Sequence, residues 1–528
     1  MKRATPYLLA AAVLAAGFVG IHQTNVTWDE AVGDLFFGQR YFSFFTTFDA
    51  RYLDFRADPY PPGYVPDVRA SFLRIRPWEH YPVASTLATA ASRLFMALHL
   101  LDPFDGYHAF NVLLAAAFLI VFYRFVEDGA ERIAAIAATL LLFLAPRIAA
   151  DTLSNVKDYA EMVFFSAALI LLWRAVERDC LPLLFASGIV AGLALGTKAN
   201  ALFLPPIALA FTLWRGVSKR AVAFLAIWLA VMGLVFFASW PYLWNHPIDA
   251  IVRNAHYLLL RQTYIRPSDT AGPFAMIALT TPPVFLLAIA VGLVPLAQRL
   301  RRRDSFAILL ACWIGVVALR LMAPASVNFD GVRHFLELFP PLAAVAGLGV
   351  ASFGRWKALA AAVAVVPVAI ALAFVHPFET TYWNVFAGGL DGAMRRQIPQ
   401  ASDYWAASYR VGLRWLDEHA PPNALLAVPI AEHTVRMVAP FRLRGDIHLV
   451  HLTNPWSPRI DQNALAALRQ ASAQRPVYVM FVFRRDWSNE LMVESINRYP
   501  RVQVWQVDGA PVLAIFRMVP APSLDRRP

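Results

Sequence analysis

Apolar runs near the length of a bilayer crossing recur along the first 376 residues and then stop. Twelve such runs stand at 7–21, 83–102, 107–125, 132–148, 161–176, 181–197, 200–216, 221–240, 281–298, 305–323, 336–354 and 357–375. About 20 apolar residues cover the hydrocarbon core as a helix, so the pattern predicts a polytopic helical membrane protein. The first run follows Lys2-Arg3 and is read as an uncleaved span, because many spans follow and no A-x-A cleavage site ends it. Between the runs, 22–82 is long, aromatic and charged. Its pieces Leu35-Phe36-Phe37 and Tyr41-Phe42-Ser43-Phe44-Phe45 suit helices lying along the membrane surface. Residues 241–280 form a second sizeable loop.

After residue 376 the pattern changes to short alternating strands and helices. Strands are expected at Leu425–Pro429, Ile447–His451, Val477–Phe483, Val502–Val507 and Val512–Phe516, with helices at 405–419, 462–473 and 488–497. Asp508-Gly509 between the last two strands is a hairpin signal. The fold class is therefore a polytopic α-helical module, 1–376, carrying a C-terminal extracytoplasmic α/β domain, 377–528. Neither GxGxxG nor GxxxxGK[ST] occurs in that domain, so no nucleotide is assigned to it.

Charge sets the orientation. The chain of 528 residues is 58% hydrophobic and only 16% charged, where a soluble protein carries about a quarter. Its net charge of +11 is gathered in short loops: Trp214-Arg215 through Lys219-Arg220, Arg299 to Arg303, and Arg355 to Lys357. Positive loops mark the cytosolic side, so these are topology determinants rather than a nucleic-acid surface. They place 149–160, Thr197-Lys198, 241–280, 324–335 and everything after 376 outside. An N-terminus inside and a C-terminus outside need an odd number of crossings, which twelve runs do not give. The weak link is 83–102, which holds Ser85, Thr86, Thr89, Ser92, Arg93 and His99 and suits the interface; a missed or merged crossing is the alternative. Cys180 and Cys312 fall in a cytosolic loop and inside a span, so no disulfide framework is expected.

The outside face collects a coherent set of charges: Asp29, Glu30, Glu79, His80, Lys157, Asp158, Lys198, Asp330, Arg333 and His334. Charges near a membrane are costly and mark function by default. Carboxylates suit a general base or a divalent cation; lysine and arginine suit a phosphate. Each has a plain competitor. Asp29 and Glu30 can cap a surface helix, Glu79-His80 can be a solvated loop, Lys157-Asp158 a local ion pair, and Lys198 a headgroup anchor. No HExxH or Cys/His spacing supports a zinc site.

Six segments then carry a resemblance. Thr27-Trp28-Asp29-Glu30-Ala31 resembles the first-loop Asp-Glu motif of integral-membrane glycosyltransferases of GT-C type that use polyprenyl-phosphate sugars, among them protein O-mannosyltransferases and lipid A aminoarabinose transferases. Trp78-Glu79-His80-Tyr81-Pro82, Ser154-Asn155-Val156-Lys157-Asp158 and Gly192 through Thr197-Lys198 are similar to later motifs of that group. So are Asn328-Phe329-Asp330-Gly331-Val332-Arg333-His334-Phe335 and His376-Pro377 with Tyr382-Trp383-Asn384. The order is right over roughly 7–390. His80 stands where the aminoarabinose branch has lysine, Val156 replaces a proline, and Tyr81-Pro82 has one proline of a usual pair.

The resemblance implies an inverting transfer from a polyprenyl-phosphate-linked sugar donor to a protein, lipid or glycan acceptor, at the outer face of a bacterial inner membrane. Asp29 is expected as the base, with Glu30 orienting the site and Asp158 holding Lys157 or the sugar. Arg333, Lys198, Lys157 and His334 would bind the donor phosphate. Glu79 and His80 would serve the acceptor side or a divalent metal ion. No other cofactor and no nucleic acid are implied. A transporter or flippase, or a membrane scaffold with an external binding domain, are the alternatives; against the transporter, charges gather at one face rather than at the midplane.

Overall fold

The computed structural model describes residues 4–55, 76–245, 247–260, 272–323 and 329–519. Parts of both long loops (56–75, 246 and 261–271), together with 324–328 and so Asn328 of the fifth motif, lie outside the described residues. Among those described, seven helices are long and apolar enough to cross a membrane: Pro103–Gly129, Val156–Glu177, Lys219–Ser239, Pro283–Arg301, Ser305–Met322, Arg333–Ala351 and Gly354–Val375. Arg132–Leu144 and Pro146–Ser154 are together long and apolar enough for an eighth, as a broken span or a re-entrant loop bent by 63°, with Pro146 opening the second half. Thr5–Ile21, Leu181–Leu195 and Leu204–Arg215 are shorter apolar helices in the places expected for spans. This is a multi-pass membrane protein.

The expected span 83–102 is corrected. It is the helix Val83–Ala97, 15 residues or about 22 Å long, short of the roughly 30 Å hydrocarbon core. Both of its ends lie on the face that carries the sheet domain. At its start the Val83 N–H donates to Gly196 O beside Lys198. At its exit Asp102 pairs with Arg442 of the sheet domain. Pro103–Gly129 does cross: its other end lies by Arg132, which donates to Thr5 near the N-terminus. Removing 83–102 from the twelve candidate runs leaves eleven, an odd number, as the expected inside N-terminus and outside C-terminus need.

Small residues let the helices approach closely, as membrane packing favours. Gly292 and Gly349 meet where Pro283–Arg301 crosses Phe339–Ala351; a Cβ on Gly292 would lie 1.9 Å from Val345 O. The basic residues Arg299 and Lys357 cluster at the end away from the sheet domain, with Gly129 O and Glu131.

All five expected strands form: β1 Leu425–Ala427, β2 His448–Val450, β3 Val477–Val482, β4 Arg501–Val507 and β5 Ala510–Arg517. They make one mixed sheet in the order β2-β1-β3-β5-β4, parallel on one side of β3 and antiparallel on the other. Asp508 and Gly509 turn the β4–β5 hairpin with positive φ at both. Helices Tyr409–His419, Gln462–Ala471 and Glu490–Arg498 match expectation. Glu432–Arg442 was not foreseen, since it is polar on average and contains Pro440.

Candidate active site

A cavity of about 420 Å³ opens between the membrane module and the sheet domain. Eight of the nine proposed site residues line it: Asp29, Glu79, His80, Lys157, Asp158, Lys198, Arg333 and His334. They come from stretches up to three hundred residues apart, so the fold has assembled what the motifs only suggested.

Arg333 is the centre. Its Nη1 donates to Asp29 Oδ2 at 2.9 Å and Asp158 Oδ2 at 3.2 Å, and its Nη2 to Asp330 Oδ2 at 3.1 Å. Rings of Phe329 and Trp405 lie 5.0 and 4.8 Å from its guanidinium carbon, an arrangement that favours a cation. Lys198 Nζ sits 2.8 Å from Asp158 Oδ1. Asp158 is held from behind: Asn155 caps the helix Val156–Glu177 by accepting from the Asp158 N–H at 3.1 Å, and its Nδ2 donates to Asp158 Oδ2 at 3.1 Å and to Asp151 Oδ1 at 2.6 Å.

The first-loop motif folds as a continuous helix from Trp28 to Thr47 containing a π-turn, Glu30–Asp34, of the kind often found at functional sites. Hydrogen bonding five residues apart brings Asp29 and Asp34 to the same wall of the cavity. Lys157 Nζ donates to Asp34 at 3.1 Å. Asp34 was not among the proposed residues. The signal available was its spacing of five from Asp29, which an ordinary helix would not bring into line.

Glu30, expected to orient the site, is the one residue of the nine that does not line the cavity. It is buried and turned away from the cavity, accepting from the Thr27 N–H at 2.8 Å and pairing with His108 Nε2 at 3.1 Å. The Thr27–Glu30 bond is half of a capping box; Glu30 fixes the loop that presents Asp29. Glu79 pairs with Arg76 at 2.9 Å. His80 stacks on Phe37 with ring centres 4.2 Å apart and stands 3.6 Å from Asp34. Gly33 makes room for it, since a Cβ there would lie 2.3 Å from His80 Cε1. His334 packs edge-on against Phe329 at 4.6 Å, while its carbonyl accepts from Asn200 and Arg320.

The described donor set does not fit a divalent ion. Among the described residues no three His, Cys, Asp or Glu side chains converge as a metal would need, and Asp29, Asp34, Glu79 and Asp158 each already face a cationic side chain. Of the acids around Arg333, Asp29 has a side chain 33% exposed whereas Asp158 has 1% and Asp330 7%. Asp29 is the carboxylate a substrate can reach. Burial pushes the Asp330 carboxyl above its ordinary range, against the pull of Arg484 and Arg333.

The sheet domain also reaches the site, which no motif announced. Trp456 lines the cavity. Trp28 is covered by Trp487 at 4.5 Å and by His433 at 4.8 Å between ring centres. Burial lowers the His433 pKa from its ordinary 6.5 to about 3, so the ring is neutral where it packs.

Residues 80–244 match the family described as dolichyl-phosphate-mannose-protein mannosyltransferase. That stretch contains His80, Lys157, Asp158 and Lys198 but stops short of Arg333. No curated protein sequence matches the chain. Among solved structures, apo ArnT from Cupriavidus metallidurans aligns over 98% of this chain and 98% of its own, at 14% identity and a TM-score of 0.50. The same protein bound to undecaprenyl phosphate aligns over 99% and 100%, at 13% identity and a TM-score of 0.47. The Archaeoglobus fulgidus oligosaccharyltransferase AglB, in complex with an inhibitory peptide and a dolichol-phosphate, aligns over 98% of this chain and 75% of its own, at 12% identity and a TM-score of 0.42. At these identities the likeness is one of fold, and the apo ArnT alignment carries it. The chain is a multi-pass membrane protein of the GT-C glycosyltransferase fold, similar over residues 80–244 to the dolichyl-phosphate-mannose-protein mannosyltransferases.

Proposed function

We propose that the protein transfers a sugar from a polyprenyl-phosphate carrier to an acceptor hydroxyl, with module 1–376 doing the chemistry and the 377–528 domain closing the site on the extracytoplasmic face. The observation that supports it is the Asp29–Arg333 contact at 2.9 Å on the wall of a cavity. A base and a phosphate ligand must stand within one substrate's breadth for this reaction.

The acceptor oxygen bonds to the anomeric carbon as the bond from that carbon to the phosphate oxygen breaks, and the configuration inverts in this single displacement. Asp29 takes the acceptor's proton, a role typically contributing about 10²–10⁴-fold in rate. The leaving phosphate keeps the electron pair, and Arg333 with Lys198 meets its charge. Lys157 and His334 stand on the same cavity for the sugar-phosphate, while Glu79 and His80 face the acceptor side. An arriving phosphate competes with Asp29 for Arg333 Nη1, which loosens the ion pair and leaves the carboxylate free to act as a base. Because the carrier already supplies the activated bond, no soluble nucleotide is required.

The test is the donor-concentration dependence of polyprenyl-phosphate release. Truncating a buried charge partner costs several kcal/mol, so Arg333→Gln should raise the donor concentration needed by at least about tenfold. An unaltered dependence discards the phosphate role. Proton- or ion-coupled uptake into vesicles without sugar transfer would favour the transporter. Protection of 400–528 from protease in right-side-out cells would overturn the sidedness.

A further inference from the structure

One side chain of the sheet domain reaches into the centre of the charge network. Arg484 follows β3 and is only 11% exposed. Its Nη2 stands 3.5 Å from Asp330 Oδ1, its Nη1 donates to the Tyr404 carbonyl, and its Nε and Nη2 hold Asp486 at 3.2 Å. Its guanidinium carbon lies 5.1 Å from the centre of the Trp28 ring. Asp330 gives its second oxygen to Arg333, and Arg333 reaches Asp29, the residue bonded to Trp28. The contacts close a ring from Arg484 through Asp330, Arg333, Asp29 and Trp28 back to Arg484.

We propose that Arg484 is a positioning residue of this site, through which the C-terminal domain aims the Arg333 guanidinium and the Asp29 carboxylate. The inference rests on the functional reading above and deepens it: the domain is a working part of the catalytic centre. Asp330 divides its two oxygens between two arginines, which fixes its plane and therefore the direction of Arg333 Nη2. Without Arg484, Asp330 faces Arg333 alone, and the guanidinium is free to turn toward it and away from Asp29 and Asp158. Trp28 loses its cationic neighbour in the same step. Couplings within such shared networks run from about twofold to about a hundredfold in an equilibrium constant.

The experiment measures binding of undecaprenyl phosphate to the full-length protein in nanodiscs, with thermal unfolding recorded alongside. Arg484→Gln should weaken binding about tenfold, and Arg484→Lys should recover most of it. Asp330→Asn should weaken binding to a similar degree, with the double variant no weaker than the weaker single one, because both substitutions open the same ring. Arg469→Ala, on the domain's separate Arg469–Glu494 pair, should leave binding unchanged. Should Arg484→Gln fail to fold, Arg484→Lys and Asp330→Asn decide: unchanged binding in Asp330→Asn overturns the proposal. Wild-type binding by Arg484→Gln, or strict additivity in the double variant, overturns it too. Where Arg333→Gln loses binding in the same assay, the functional reading survives that failure; where Arg333→Gln also binds as wild type, the reading itself falls.

Discussion

Two clusters of buried charge lie on the domain face, and they surround different things. Around Arg333, Asp29, Asp158, Asp330 and Lys198 pack beside a cavity of about 420 Å³. Around Asp105, the partners are His22 at 2.8 Å, Arg410 at 3.3 Å and Arg442, which also holds Asp102 at 2.9 Å. The second cluster fastens the sheet domain to the start of Pro103–Gly129 and uses its charges on one another. Buried charge near a membrane is a sign of function by default, yet both clusters meet that criterion. What marks the first is a space to hold a substrate and one acid, Asp29, open to it.

The sharpest way to break the comparison is to remove the central cation of each. Arg333→Ala leaves three carboxylates around a vacated position, and breaking a buried pair costs about 3–5 kcal/mol. It should therefore lower thermal stability as well as abolish donor use. Arg333→Lys, keeping the charge, should retain the fold and lose most of the donor affinity. Arg442→Gln in the other cluster should cost about 3–5 kcal/mol in unfolding experiments, while activity measured well below the melting temperature persists. Equal loss of activity in both variants at low temperature would erase the distinction between site and latch.

A weaker effect comes from pH. The His433 pKa lies near 3 in the folded protein against an ordinary 6.5, so the unfolded chain binds the proton that the buried ring refuses. Stability should fall as pH drops from about 6.5 toward 3, and His433→Gln should flatten that slope in thermal scans across the window. Smallest of all, Gly33→Ala would set a Cβ 2.3 Å from His80 Cε1 and force the ring to move. Acceptor KM should rise while donor binding stays unchanged; a shift in donor binding instead would place His80 on the phosphate side.

Much of the helical module was legible because hydrophobic runs and charge asymmetry follow directly from the bilayer. Val83–Ala97 misled because its apolar side packs into protein, where composition resembles a span and only length and the position of both ends tell otherwise. Asp29, Lys157, Asp158, Lys198 and Arg333 were legible as charges at span ends within recognisable motifs. Asp34 was missed because only a π-turn brings a residue five positions after Asp29 into line with it, and the ordinary helical period points elsewhere. Arg484 and Trp456 were invisible for another reason. They reach the site only through the docking of a domain whose contacts are long-range and whose sequence carries no motif.

Donor binding and sugar transfer, measured on one preparation of Asp29→Asn, test the central claim most directly. The account predicts undecaprenyl-phosphate binding within about threefold of wild type and transfer reduced by about 10²–10⁴-fold. Transfer at the wild-type rate, with the substitution verified and the protein folded, would contradict it.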